Sequence, residues 1–129
     1  MCFSRKEKFE VDQEYGWKVF EMIGRKLYPE YRTSDRPEAY PLNTWIPRST
    51  YILNRKKWLI ASTVSCSRYR NGFHVFMSKR AAQIWIAGPS LRNTNNLRVR
   101  KVRIGKVLDT GYQNGLKVFT TDKIQIVSN

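Results

Sequence analysis

Apolar and polar positions alternate along most of this chain with the two-residue period of strands, and one stretch alone changes to helical spacing. In "YGWKVFEMIGRKLYPEYR", Trp17 and Val19 fall on one face and Phe20 and Met22 on the other, around a turn at Gly24-Arg25. That pattern demands burial of both faces or a bulge between Val19 and Phe20. "TSDRPEAYP" reads as a loop, because Pro37 and Pro41 exclude regular pairing. "NTWIPRSTYIL" and "WLIASTVS" read as strands joined by the charged turn "NRKK". "YRNG" reads as an exposed turn leading into a short strand, in which Phe73, Val75 and Met77 alternate with His74 and Phe76. Ser78 then suits an N-cap, and Ala81, Ala82 and Trp85 recur at helical spacing, predicting a helix over 78–87 that Gly88-Pro89 ends.

"SLRNTNN" is a polar loop, and "LRVRKVRIGKVL" is the longest strand candidate. Leu97 and Val99 face inward, and then the phase slips so that Val102 and Ile104 take over. A bulge at Arg100-Lys101 would keep all four in the core and fan Arg98, Arg100 and Arg103 into solvent on one side. "DTGYQNG" reads as a turn, and "LKVFTTDKIQIV" as one or two closing strands. The expected class is α+β: a mostly antiparallel, curled sheet or partial barrel of about six to eight strands with one firm helix.

Length narrows this to one domain spanning 1–129, with 1–14 a candidate flexible, charged N-terminal arm. Hydrophobic residues form 41% and aromatics 13% of the chain, too rich for a disordered polyelectrolyte, so a packed core is expected. No apolar run approaches the length of about 18 residues that spans a bilayer, and the charged opening "MCFSRKEKFEVDQE" has no signal-peptide core. Cys2 and Cys66 belong to no Cys/His cluster. No metal site or disulfide scaffold is expected, and two reduced thiols suit a cytoplasmic setting.

Charge changes the picture most. The net charge is +14, from 24 Lys and Arg against 10 Asp and Glu. Eight of those acids lie between Glu7 and Glu38, and from Ala39 to Leu108 there are 14 cations and no carboxylate. Unopposed like charges destabilise a compact chain, so such a stretch points to a partner that supplies negative charge. Nucleic acid comes first, then an acidic protein face, then a nucleotide.

"NGFHVFMSKRAAQIW" resembles the Gly-Phe-His or Gly-Leu-His strand and alanine-bearing helix of small uncharacterised phage and mobile-element proteins. Gly16 to Phe20 and Tyr40 to Trp45 extend the resemblance, which implies a viral or mobile-element origin more than any activity, with a location in the host cytoplasm if the protein is viral. At longer range the strand-helix, with "LKVFTTDKIQIV", is similar to the core of ADP-ribosyltransferases. That core needs a late-strand glutamate, yet every glutamate here lies at or before Glu38, and Lys18 stands where the fold's early histidine belongs.

Other catalytic constellations are missing as well. His74 is the only imidazole, with no acid within 34 residues along the chain, so it reads as a partly buried strand residue. A Cys66–His74 thiol pair lacks the helix start that would activate it. Phosphate-cradling glycine loops do not occur.

What remains is binding. Cations interleave with aromatics in "WIPRSTY", "NRKKW" and "SRYRNGFH", a pattern that serves unpaired bases, although Trp17, Trp45, Trp58 and Trp85 also suit core packing. The expectation is a non-enzymatic, cofactor-free binding protein for RNA or DNA, alone or in a nucleoprotein complex, using a sheet face and loops. Its candidate anion-binding residues are Arg48, Arg55, Lys56, Lys57, Arg68, Tyr69, Arg70, Lys79, Arg80, Arg98, Arg100, Lys101 and Arg103. The alternative is a viral counter-defence protein that docks on a host immune effector or sequesters a nucleotide signal. A degenerate transferase-like protein is the second alternative.

Overall fold

A computed structural model describes residues 3–29, 39–47, 58–59, 69–70, 72–88 and 96–127; of Pro29, Trp58, Leu59, Tyr69 and Arg70 it describes the backbone alone. The elements are β1 (Arg5–Lys6), β2 (Tyr15–Ile23), β3 (Lys26–Pro29), β4 (Trp45–Pro47), β5 (Trp58–Leu59), β6 (Tyr69–Arg70), β7 (Phe73–Phe76), α1 (Lys79–Ala87), β8 (Leu97–Ile104), β9 (Val107–Gln113), β10 (Leu116–Thr121) and β11 (Lys123–Ile126). Nine strands make one sheet in the order β1-β9-β10-β7-β2-β8-β11-β4, with β3 also on β2, while β5 and β6 pair separately. Every pairing among the described residues is antiparallel. The protein is an α+β fold with an unclosed, curled sheet.

The curl has a visible cause. Consecutive strands β8 and β9 stand four places apart in the sheet order, as do β10 and β11, so both connections must cross from one half to the other. The two crossings lock together. Lys106 N–H donates to the Asp122 carboxylate at 2.8 Å, Asp122 N–H to the Lys106 carbonyl at 3.1 Å, and Gly105 N–H to the Lys123 carbonyl at 3.0 Å.

Each face of the sheet has its own core. Inside the curl, Phe20, Leu27, Ile46, Phe73, Val75, Val102, Ile104, Phe119, Ile124 and Ile126 meet in one cluster contributed by seven strands, with Tyr40 beside them. Outside, α1 lays Ala82, Trp85 and Ile86 over Val19, Phe76, Leu97, Val99 and Val118. Ser78 caps this helix, accepting from Ala81 N–H at 3.1 Å, as its place before the apolar repeat predicts. Strand β2 is buried on both faces, so Val19 and Phe20 lie side by side without a bulge.

Several expectations need correction. Strand β8 carries no bulge: it pairs with β2 in unbroken register from Tyr15–Arg103 to Glu21–Leu97. Its apolar phase changes because its cover changes. The helix covers the outer face over Leu97 and Val99, and the inner core fills the other face at Val102 and Ile104. Arg98 and Arg100 therefore share the inner side, whereas Lys101 and Arg103 lie on the outer one.

"DTGYQ" belongs to β9, and the turn shrinks to Asn114-Gly115, both at positive φ as a two-residue hairpin loop demands. The backbone of Tyr69 and Arg70 is strand, paired with Leu59 and Trp58. Residues 3–14 are no free arm. Phe3 is fully buried, β1 pairs with β9, and the Thr110 hydroxyl donates to the Glu7 carbonyl at 2.6 Å.

Candidate functional site

Register puts four side chains in one row across the outer face. Tyr15 of β2 lies opposite Arg103 of β8, Arg103 opposite Gln125 of β11, and Gln125 opposite Trp45 of β4. Directly opposed residues share a face, and neighbouring strands lie about 4.8 Å apart, so the two strands that carry the terminal rings lie about 14 Å from each other along the sheet. Helix α1 packs over the other end of β2 and β8, on Trp17, Val19, Leu97 and Val99, while Trp45, Lys101 and Arg103 are exposed.

Cations rest on both rings. The Lys101 ammonium lies 4.4 Å from the Tyr15 ring centroid and the Arg103 guanidinium 5.6 Å, while the Lys123 ammonium lies 4.6 Å from Trp45. Arg103 also donates to the Tyr15 hydroxyl at 3.2 Å, which raises its pKa above the ordinary arginine value. The Gln125 amide is aimed by a 3.0 Å hydrogen bond to the Asn43 carbonyl. Trp45, expected in the core, is 38% exposed. Beside it opens a cleft of about 500 Å³ lined by Gln13, Glu14, Trp45, Arg103, Ile104 and Gly105. Glu14 and Arg103 are the charged residues of its lining.

A second group of rings and cations lies at the opposite edge. Arg5 sits 4.4 Å over Tyr112, Lys117 lies 5.2 Å from the Phe9 ring, and Phe9 meets Tyr112 edge-on. Here, however, two of the cations are paired with acids. Glu7 pairs with Arg5 and Asp109 with Lys6, both at 3.6 Å. This edge is stapled rather than poised for an anion.

The candidate residues thus separate. Lys101 and Arg103 join the row. Lys79 and Arg80 stand exposed in the first turn of α1. Arg98 is exposed and Arg100 half-buried on the inner side, each turning a guanidinium N–H back to a carbonyl, of Leu97 and Val99 respectively. Arg48, Arg55, Lys56, Lys57 and Arg68, and the side chains of Tyr69 and Arg70, lie outside the described residues, as do Cys2 and Cys66. Tyr15, Gln125 and Lys123 were not singled out by sequence; only the pairing register brings them beside Arg103.

His74 is partly buried. Its ring meets Phe3 edge-on at 5.8 Å, and its pKa is lowered well below 6.5, first by burial and then by nearby positive charge that includes Lys18. Among the described residues no group of three or more His, Cys, Asp or Glu could hold a metal ion, and no helix is long and apolar enough to cross a membrane. Comparison with known protein families, curated proteins and solved structures finds no match to this chain.

Proposed function

We propose that this is a nucleic-acid-binding protein that grips its ligand with the outer face of β2, β8, β11 and β4. The observation that carries the reading is the row Tyr15–Arg103–Gln125–Trp45, with Lys101 and Lys123 resting on its rings. Cations supply sequence-independent attachment to phosphates, the exposed Trp45 ring and the half-buried Tyr15 ring supply faces for bases, and an amide supplies hydrogen bonds to base edges. The +14 charge and the 70-residue acid-free stretch from Ala39 to Leu108 favour the same kind of partner. Chemistry is not required of this surface, whose contribution is position and charge.

The test is a titration of the whole protein against RNA, single-stranded DNA and duplex DNA at two salt concentrations, with poly-glutamate as an acidic control. Binding to nucleic acid should weaken steeply with salt, the logarithmic slope falling by about 0.7 to 0.9 for each phosphate neutralised. Equal binding to poly-glutamate would move the reading to an acidic protein face. No salt-dependent binding to any of them would refute it.

A further inference from the structure

We infer that the strand bound by this face is single-stranded, with one unpaired base stacked on Tyr15, another on Trp45, and the phosphates between them held by Lys101, Arg103 and Lys123. The inference rests on the nucleic-acid reading above and narrows it. Reading a duplex in its major groove takes a helix or a two-stranded ribbon that enters the groove. The row is instead set across four paired strands of one sheet, and its rings stand at the row's two ends. In a duplex the base faces are already stacked on one another, so such rings would contribute nothing; in a single strand they are open to any aromatic surface.

The cations already mark the ring faces as electron-rich surfaces within reach. A base arriving on Tyr15 or Trp45 displaces an ammonium from the ring by only a few ångströms, and the displaced cation then stands where the neighbouring phosphate must pass. The cleft beside Trp45 is lined by one acid, Glu14, and one cation, Arg103, so it suits a base that carries hydrogen-bond donors beside the phosphate that Arg103 holds. The same carboxylate accepts a hydrogen bond from an exocyclic amine, as acidic side chains do from cytosine. Gln125, between the two rings, can meet a base edge with an amide whose direction Asn43 fixes.

The experiment uses a fluorescently labelled adenine-and-cytosine strand, as RNA and as DNA, each alone and annealed to its complement, with the full chain. The single strands should bind at least about tenfold more tightly than the duplexes at equal salt, with base stacking as the source of the difference. Tyr15→Leu and Trp45→Leu should each weaken single-strand binding by roughly five- to a hundredfold, with the salt slope and duplex binding unchanged. Tyr15→Phe, which keeps the ring but loses the hydroxyl contact with Arg103, should weaken single-strand binding less than Tyr15→Leu does. Thermal melting of each variant separates loss of fold from loss of site. Equal affinity for single and double strands, with both leucine variants binding like the parent, would overturn the single-strand inference while leaving nucleic-acid binding in place. Absence of salt-dependent binding to any strand would remove both.

Discussion

The Lys18 ammonium donates a hydrogen bond to the His74 carbonyl oxygen at 3.1 Å, across a place where the sheet divides. Strands β2 and β7 are bridged only at Trp17–Phe76, and from Phe20 onward β3 occupies that edge of β2. Lys18 reaches into the division, with its charge 5.9 Å from the Phe20 ring and 5.7 Å from that of Phe73. Replacing Lys18 by methionine keeps most of the stem but removes the donor and the charge. Urea unfolding of Lys18→Met should show a loss of about 1–3 kcal/mol, the cost of leaving a part-buried carbonyl short of its charged partner. An unchanged midpoint would show that the contact holds nothing together.

The same contact links His74 to pH. Its folded pKa lies below the unfolded value of 6.5, first through burial and then through positive charge including that of Lys18. Below about pH 6.5 the unfolded chain therefore binds a proton that the folded one refuses, and stability falls as pH falls, by at most about 1.4 kcal/mol per pH unit. The decline continues until pH reaches the lowered folded value. His74→Gln should flatten stability between about pH 6.5 and 5, above the range where carboxylates dominate. Lys18→Met should move the imidazole pKa upward, as proton NMR can read. A parent protein equally stable at both ends of that window would rule out a buried neutral imidazole.

Gly111 is needed for space rather than for backbone freedom. A Cβ there would stand 2.5 Å from the Arg5 carbonyl oxygen and 2.6 Å from the Phe3 ring. Gly111→Ala should push β1 and Phe3 off the sheet, costing about 2 kcal/mol, the value of one buried aromatic side chain. Hydrogen exchange should quicken at the β1 amides first. Gly24→Ala offers a contrast, since a Cβ meets nothing within 4 Å there and only the positive φ of 64° resists it. That strain is worth about 1 kcal/mol and should leave β1 protected.

The helix starts against its own dipole. Lys79 and Arg80 open α1, no acid occupies its first turn, and the Ser78 hydroxyl is the feature that favours this end. Ser78→Ala should therefore cost about 1 kcal/mol in chemical denaturation, and Lys79→Glu should regain about 0.3–1 kcal/mol. If Lys79→Glu also weakens nucleic-acid binding, the ligand extends from the strand row to the helix start. Unchanged affinity would confine it to the row.

The helix, with its cap and its stop, was legible because its signals are local: a serine, a three-to-four-residue repeat and Gly88. The β2–β3 hairpin was legible for the same reason, through Gly24-Arg25. Faces were harder. The apolar phase of β8 changes at Arg100-Lys101, which in a strand of uniform cover means a bulge. Here α1 covers one end and the curled core the other, a tertiary fact that no local pattern carries. Trp45 misled for a related reason, since on an edge strand an outward tryptophan and an inward one have the same neighbours in sequence. The row itself joins residues 15, 45, 103 and 125, and only register could align them.

That division of β8 gives the sharpest contrast between binding and stability. Lys101 and Arg103 are exposed on the outer face, where substitutions usually shift stability by less than about 0.5 kcal/mol. The double change Lys101→Gln with Arg103→Gln should leave melting nearly unmoved. It should weaken nucleic-acid binding and reduce its salt slope by about two phosphate contacts. Arg100 should behave in the opposite way. Its Nε is buried on the inner side with no hydrogen-bond partner, although its Nη1 donates to the Val99 carbonyl, and an unmet buried donor carries a desolvation cost. Arg100→Met keeps the stem, removes the unsatisfied donor and should raise stability by about 1 kcal/mol, with the salt slope unaltered. Guanidinium denaturation and a salt-dependent titration on the same two variants read both quantities. If Arg100→Met abolishes binding while the Lys101/Arg103 variant binds like the parent, the ligand lies inside the curl of the sheet and the outer row is not its site.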